Sequence, residues 1–271
     1  MMEQNQANGA ARVTTEPERI DPDAADRAEQ AAQSSGVLEQ PEVLSLEKHG
    51  ELRVDRAANV FTFAKKMHMA PITLEEFAPA CAHYPIVFVG EQRSPCVVMG
   101  VARGENAFID DAGAFPKGSY VPAYFRQHPF LFAKDSKGER NLVLIDAASR
   151  SLSTTTGEPL FNDGKPSQYL TTVYTFLAQL QNDWARTKEL TEYLKEHDLF
   201  ETRSITVRGG ARNEPVSQPF RFLSINAEKI NDMDAEALKA LAKPGWLQAI
   251  YAQQASLHAW PRLHVRARGS A

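Results

Sequence analysis

Cysteine is scarce in this chain: 271 residues hold only Cys81 and Cys96. A disulfide scaffold packs more cysteines into a shorter sequence, so reduced thiols, as in a cytoplasmic protein, are expected. Long apolar runs are missing too, and none approaches the ~20 residues a membrane-spanning helix needs. The opening "MMEQNQANGAARVTTEPER" has neither a basic n-region nor an apolar h-region, so no secretory leader is expected. On that reading the protein is soluble and cytoplasmic, and it would reach the cell surface only by a non-classical export route. Basic charge is also lacking. A formal net charge of -4 removes the general case for nucleic-acid binding, which needs a basic face to displace counterions. Neither a dinucleotide-binding glycine motif, a phosphate-binding P-loop nor a hydrolase nucleophile elbow occurs. Seven scattered histidines and two cysteines form no zinc pattern. No catalytic residue, metal ligand or cofactor is therefore assigned.

The charge that is present is unevenly spread. Residues 1–41 hold three Arg against eight Asp and Glu, a net of -5, which leaves the other 230 residues at +1. That first stretch has no aromatic residue and cannot offset its ordering entropy by burial. A disordered acidic tail is expected over residues 1–45, followed by one folded domain over 46–271, with sub-units 46–165 and 166–271 as an option.

In the first half of the body the pattern is strand-like. "YPIVFVG" (84–90), "CVVMGVA" (96–102), "NAFID" (106–110), "PFLFAK" (129–134) and "NLVLID" (141–146) are short runs rich in β-branched and aromatic residues. Short connections with Pro, Asp and Gly make them an antiparallel meander. The second half changes period. Leu170, Val173, Tyr174, Leu177 and Leu180 fall at i, i+3, i+4, i+7 and i+10, one face of a helix over 168–197, about 45 Å long. "SITVR" and "FRFLSI" add a hairpin around Gly209 and Gly210. Asp232 or Asp234 then caps a short helix, and "PGWLQAIYAQQASLHAW" gives another. Strands gathered ahead of helices predict an α+β fold.

The segment "YVPAYFRQHPF" (120–130) carries the densest chemistry. Read as a binding lip, Tyr120 and Tyr124 offer aromatic faces, Arg126 an anion partner and His128 a proton carrier near neutral pH. Read as structure, Pro122 and Pro129 make it a stiff, extended crossover whose aromatics pack on the core. Elsewhere Cys81 and His83 would share a face of an extended chain and could form a thiolate–imidazole pair. Glu192 and Glu196 have helical metal-ligand spacing but suit a solvated face, and His197 suits a helix C-terminus. Asp110 and Asp111 sit where a turn uses Asp. "RLHVRAR" carries Arg262, Arg266 and Arg268 without an acid, which suits a membrane surface or an acidic partner.

Several motifs in succession carry a resemblance: "YPIVF", "GEN-F" within "GVARGENAFIDDAGAF", "YVPAYFR-HPF", and "GE-LF" within "IDAASRSLSTTTGEPLF". With the later "INAEKINDMDAEALKALAKPGWLQAIYAQQASL", they resemble the SapC family of bacterial proteins from about His49 onward. One departure is visible: in the segment after the Asp-Gly turn, where the family usually has a bulky aromatic, often Trp, "DDAGAFPKGS" offers Phe115 with Pro116 and Gly118 nearby, so a different local hairpin is expected. The resemblance implies no established reaction and no catalytic residues. The family is named for a protein of a crystalline surface layer, and related genes often neighbour outer-membrane receptors and flavin-dependent halogenase-like proteins. The expectation is a non-catalytic interaction or accessory protein of a surface-layer or nutrient-uptake system. Its partner would be another protein or a surface polymer, engaged through Tyr120, Tyr124, Arg126 and His128. The alternative is an enzyme, or an enzyme's dedicated partner, acting on a polymer, peptide or cofactor near Arg126 and His128.

Overall fold

The computed structural model describes residues 36–55, 61–134, 141–206, 208–209, 214–215, 220–242 and 245–269. The strands begin with β1 (Pro41–Val43), β2 (Arg53–Val54), β3 (Met69–Pro71), β4 (Ile86–Val89) and β5 (Ser94–Val98). They continue with β6 (Phe130–Lys134), β7 (Asn141–Asp146), β8 (Leu152–Ser153), β9 (Glu158–Pro159), β10 (Phe161–Asn162) and β11 (Lys165–Pro166). After the long helix come β12 (Phe200–Ile205), β13 (Arg208–Gly209), β14 (Glu214–Pro215) and β15 (Phe220–Ile225). The helices are α1 (Leu46–His49), α2 (Phe77–Cys81), α3 (Ala123–Arg126) and α4 (Gln168–Glu196). Then follow α5 (Ala227–Asn231), α6 (Ala235–Ala242), α7 (Trp246–Ser256) and α8 (Trp260–Gly269). Among the described residues every strand pair is antiparallel and helices are plentiful, so the fold is α+β. Among the described residues no helix is long and apolar enough to cross a membrane.

The chain divides into two interleaved units, Met1–Ala58 with His128–Ala178, and Asn59–Gln127 with Gln179–Ala271. Helix α4 thus begins in the first unit and ends in the second. In the first unit a sheet of order β1-β7-β6 accompanies a small one of order β8-β2-β9 and the β10–β11 hairpin. Its core gathers Val54, Phe130, Ile145, Leu160, Leu170 and Leu177. Part of the stretch expected as a disordered tail, residues 36–45, is structured instead. Val37 and Leu38 are buried and Pro41–Val43 pairs with Leu144–Asp146, because two apolar pairs flank the acids there. The rest of the expected tail, 1–35, lies outside the described residues. Gly157 has a steric reason. Its φ is +99°, and a Cβ there would stand 2.4 Å from the Val54 carbonyl oxygen, so only glycine fits against β2.

In the second unit one sheet has the order β12-β15-β4-β5-β3. The predicted runs at 84–90, 96–102 and 220–225 supply β4, β5 and β15. "NAFID" is no strand: the Asn106 side chain accepts from Phe108 N–H (2.9 Å) and donates to the Ala64 carbonyl (3.1 Å), bending the backbone. Between β15 and β4 only Leu223 and Phe88 stand in register. The next rung would join Ile225 to Ile86, and there the buried Gln253 of α7 intervenes. Its amide donates to the Ile86 carbonyl (3.0 Å) and accepts from Ile225 N–H (3.4 Å), while Ser256 Oγ accepts from Ile86 N–H (2.9 Å). A side-chain amide thus stands in for a missing backbone rung. Tyr84, Phe77, Phe88, Phe125 and Met99 fill the core beside it.

The predicted helix over 168–197 is α4, a little shorter at its end. Leu170 N–H donates to Ser167 Oγ (3.1 Å) at its start, a serine cap. Helix α5 is capped by Asn226, which accepts from Lys229 N–H, and α6 by Asp234. The loop expected around Gly209 and Gly210 falls mostly outside the described residues.

Candidate functional site

The capping sequence Thr73-Leu-Glu-Glu76 begins a 3-10 turn (Leu74–Glu76) that runs into α2. Thr73 and Glu76 form a reciprocal capping box, in which Glu76 Oε2 accepts from Thr73 N–H (2.8 Å) and Thr73 hydroxyl (3.1 Å). The other oxygen does something non-local. Glu76 Oε1 accepts from the Tyr120 hydroxyl (2.9 Å) and from Ala123 N–H (2.7 Å), the first amide of α3. Four donors therefore satisfy one buried carboxylate. The Tyr120 carbonyl in turn accepts from the buried Tyr84 hydroxyl (2.5 Å). Burial first, and then the Glu76 carboxylate, hold the Tyr120 phenol above its ordinary range, while Arg126 pulls the other way. The protonated Tyr120 hydroxyl thus serves Glu76 as a hydrogen-bond donor.

Arg126, exposed on the last residue of α3, donates Nε–H to the Val121 carbonyl (3.0 Å) and reaches the Tyr120 hydroxyl (3.4 Å), its guanidinium 5.9 Å from that ring's centre. Tyr124 is half-buried, its ring edge-on to Phe125 at 5.7 Å. Tyr84 also meets Phe108 edge-on at 4.6 Å, and the Arg266 guanidinium lies 4.5 Å from the Phe108 ring. Three motifs that were separate in the sequence, "YPIVF", "GEN-F" and "YVPAYFR", interlock here.

The sequence reading placed Tyr120, Tyr124, Arg126 and His128 on one lip. Tyr120 and Arg126 do meet, and Tyr124 lies on the same short helix. His128 belongs to the other unit, where its Nε2 lies 3.1 Å from Asp146 Oδ2. Asp146 is buried at the end of β7 and also accepts from Gln40 N–H (2.8 Å). Burial pushes the Asp146 carboxyl up, but the hydrogen bonds from His128 and from the Gln40 and Glu39 amides outweigh it, so the carboxyl lies below its ordinary range. The pair orients an imidazole, as a general base requires. The segment itself is not extended throughout as expected: Pro122 N-caps the helical turn Ala123–Arg126, whose first amide Glu76 receives.

The other candidates separate. Cys81 ends helix α2 and donates to the Ala78 carbonyl (3.2 Å), so the extended geometry that would pair it with His83 is absent. Glu192 pairs with Lys188 on the exposed face of α4 (3.6 Å). His197 stacks on Tyr193 at 4.0 Å, and Asp198 pairs with Lys229. Asp110 accepts from Ala114 N–H (2.8 Å), a turn role. The basic stretch at 262–268 is helical. Arg262 donates to the Ala82 carbonyl (3.0 Å) and Arg266 to the Ala107 carbonyl (2.9 Å). Among the described residues no cluster of three or more His, Cys, Asp or Glu could hold a metal ion. Sequence reasoning overlooked Glu76 and Gln253. The Thr-x-x-Glu box ahead of an apolar run was a signal for the first; nothing marked the second.

These features define an α+β protein whose motif residues serve an interior polar network. The chain belongs to the SapC family, whose model matches residues 44–263. No curated protein and no solved structure matches it.

Proposed function

We propose that this protein is a non-catalytic interaction or accessory component of a bacterial cell-surface system, serving a surface layer or nutrient uptake. Its partner is another protein or a surface polymer. One observation carries the reading: the Tyr120 hydroxyl is committed to Glu76, while the exposed Arg126 crowns the same short helix as Tyr124. Arginine and tyrosine held this way suit recognition, since both contribute directional bonds and apolar area at little entropic cost. A body charge near +1 argues against nucleic acid as the partner.

A second reading rests on the His128–Asp146 pair, which would equip an enzyme with an oriented base. Native mass spectrometry of the protein taken gently from its own host separates the two. A complex with a second protein or a polymer fragment, lost in Arg126→Ala, supports the interaction reading. A bound small-molecule cofactor, with turnover lost in His128→Ala, overturns it.

A further inference from the structure

The five-stranded sheet ends differently at its two edges. On one side stands β3, three residues long and closed by Pro71, a short edge that resists further pairing. On the other stands β12, six residues "FETRSI" with no proline, no glycine and its middle residues exposed. Among the described residues no strand pairs with its outer side.

The phase of the ladder shows which backbone groups face outward. Phe200 stands opposite Ile225, so Leu199 continues the register opposite Asn226, and Asn226 N–H donates to the Leu199 carbonyl at 2.8 Å. Directly bonded positions alternate along an antiparallel pair. Residues 199, 201, 203 and 205 therefore bond inward to β15, and Phe200, Thr202 and Ser204 turn their N–H and C=O groups to the outer edge. We infer that β12 is the contact strand of a two-fold dimer. Two copies pair these edges antiparallel, Thr202 against Thr202, and merge two five-stranded sheets into one.

Charge selects that occupant and that register. With Thr202 on the axis, the outward groups of Phe200, Thr202 and Ser204 meet those of Ser204, Thr202 and Phe200 of the second copy. Glu201 then stands opposite Arg203 of the second copy, twice by symmetry, in the closer, non-bonded positions. Both side chains are partly exposed and already pair within the strand (2.6 Å), so each can be shared across the axis. Sliding by one step of the same phase sets Glu201 against Glu201, or Arg203 against Arg203, and like charges directly opposite are unfavourable. The sequence of this edge is thus complementary to itself in one register. Two threonines at the centre add a favourable cross-strand pair. This pairing does not depend on the functional reading above.

Sedimentation velocity of the full chain over about 1–100 μM tests it, a range suited to a short interface. A concentration-dependent dimer is expected. Thr202→Pro removes an outward N–H and leaves the inner ladder whole, so it should sediment as a monomer with unchanged far-UV circular dichroism. Glu201→Arg should weaken the dimer at least about tenfold, and Glu201→Arg with Arg203→Glu should restore it. A wild type that stays monomeric, a dimer indifferent to Thr202→Pro, or a charge swap that fails to restore association would each overturn the proposal.

Discussion

Replacing Gln253 by leucine keeps the volume of the side chain and removes both ends of its amide. The Ile86 carbonyl then loses its donor and Ile225 N–H its acceptor, in a part of the sheet that is fully buried. An unsatisfied buried backbone group costs about 1–3 kcal/mol, and the 3.4 Å bond to Ile225 is the weaker of the two. The loss should come to about 2–4 kcal/mol, partly reduced by the apolar contacts leucine gains. Against a total stability of roughly 5–15 kcal/mol, that is a large fraction. Gln253→Glu should be worse, since a carboxylate oxygen would face the Ile86 carbonyl with no hydrogen between them. Urea unfolding followed by far-UV circular dichroism gives the difference. The two variants should keep the native m-value and fall in the order leucine above glutamate. A loss under about 0.5 kcal/mol for leucine would show that β4 and β15 can close on each other without the wedge, and the reasoning would fail.

Glu76→Gln sets an amide NH2 against groups that themselves donate, from Tyr120 and Ala123 or from Thr73, and should lose about 1.5–3 kcal/mol in the same assay. Gly157→Ala should cost about 1–3 kcal/mol, read as a lowered Tm, because its backbone is left-handed and the added Cβ meets the Val54 carbonyl. The Asp146 carboxyl is depressed in the folded state, so its contribution is present above the unfolded carboxylate range and is lost as pH falls through the folded value. Acid unfolding should therefore lose a component below about pH 4 in Asp146→Asn relative to wild type. For the buried His49, burial lowers the affinity for a proton, so its neutral form favours folding. That share is full above 6.5 and declines as pH drops below it, and His49→Gln should flatten the stability profile there.

Much of the fold was legible because strong periodic signals agree with burial. The 3.6-residue repeat of Leu170, Leu177 and Leu180 placed α4 to within a residue, and β-branched runs placed β4, β5, β7 and β15. What stayed hidden depends on distant partners. "NAFID" alternates like a strand, yet one asparagine side chain bends it. "YVPAYFR" reads as extended after its proline, yet an acid 47 residues earlier receives the first amide of a helical turn. The site was half legible for the same reason. Tyr120 and Arg126 are close in sequence and meet, whereas the boundary between the two units falls at Gln127 and His128, which no local pattern announces.

The guanidinium of Arg262 holds a carbonyl 180 residues before it, and Arg266 one 159 residues before it. On a ribosome adding 5–20 residues each second, Ala82 waits about 10–35 s for that partner to be made. The strands and aromatic motifs near it must spend that interval unfinished, with their edges open to other chains. A chain this dependent on late arrivals should gain more from a chaperone during synthesis than its modest length suggests, and stalled or shortened products should be cleared rather than partly folded.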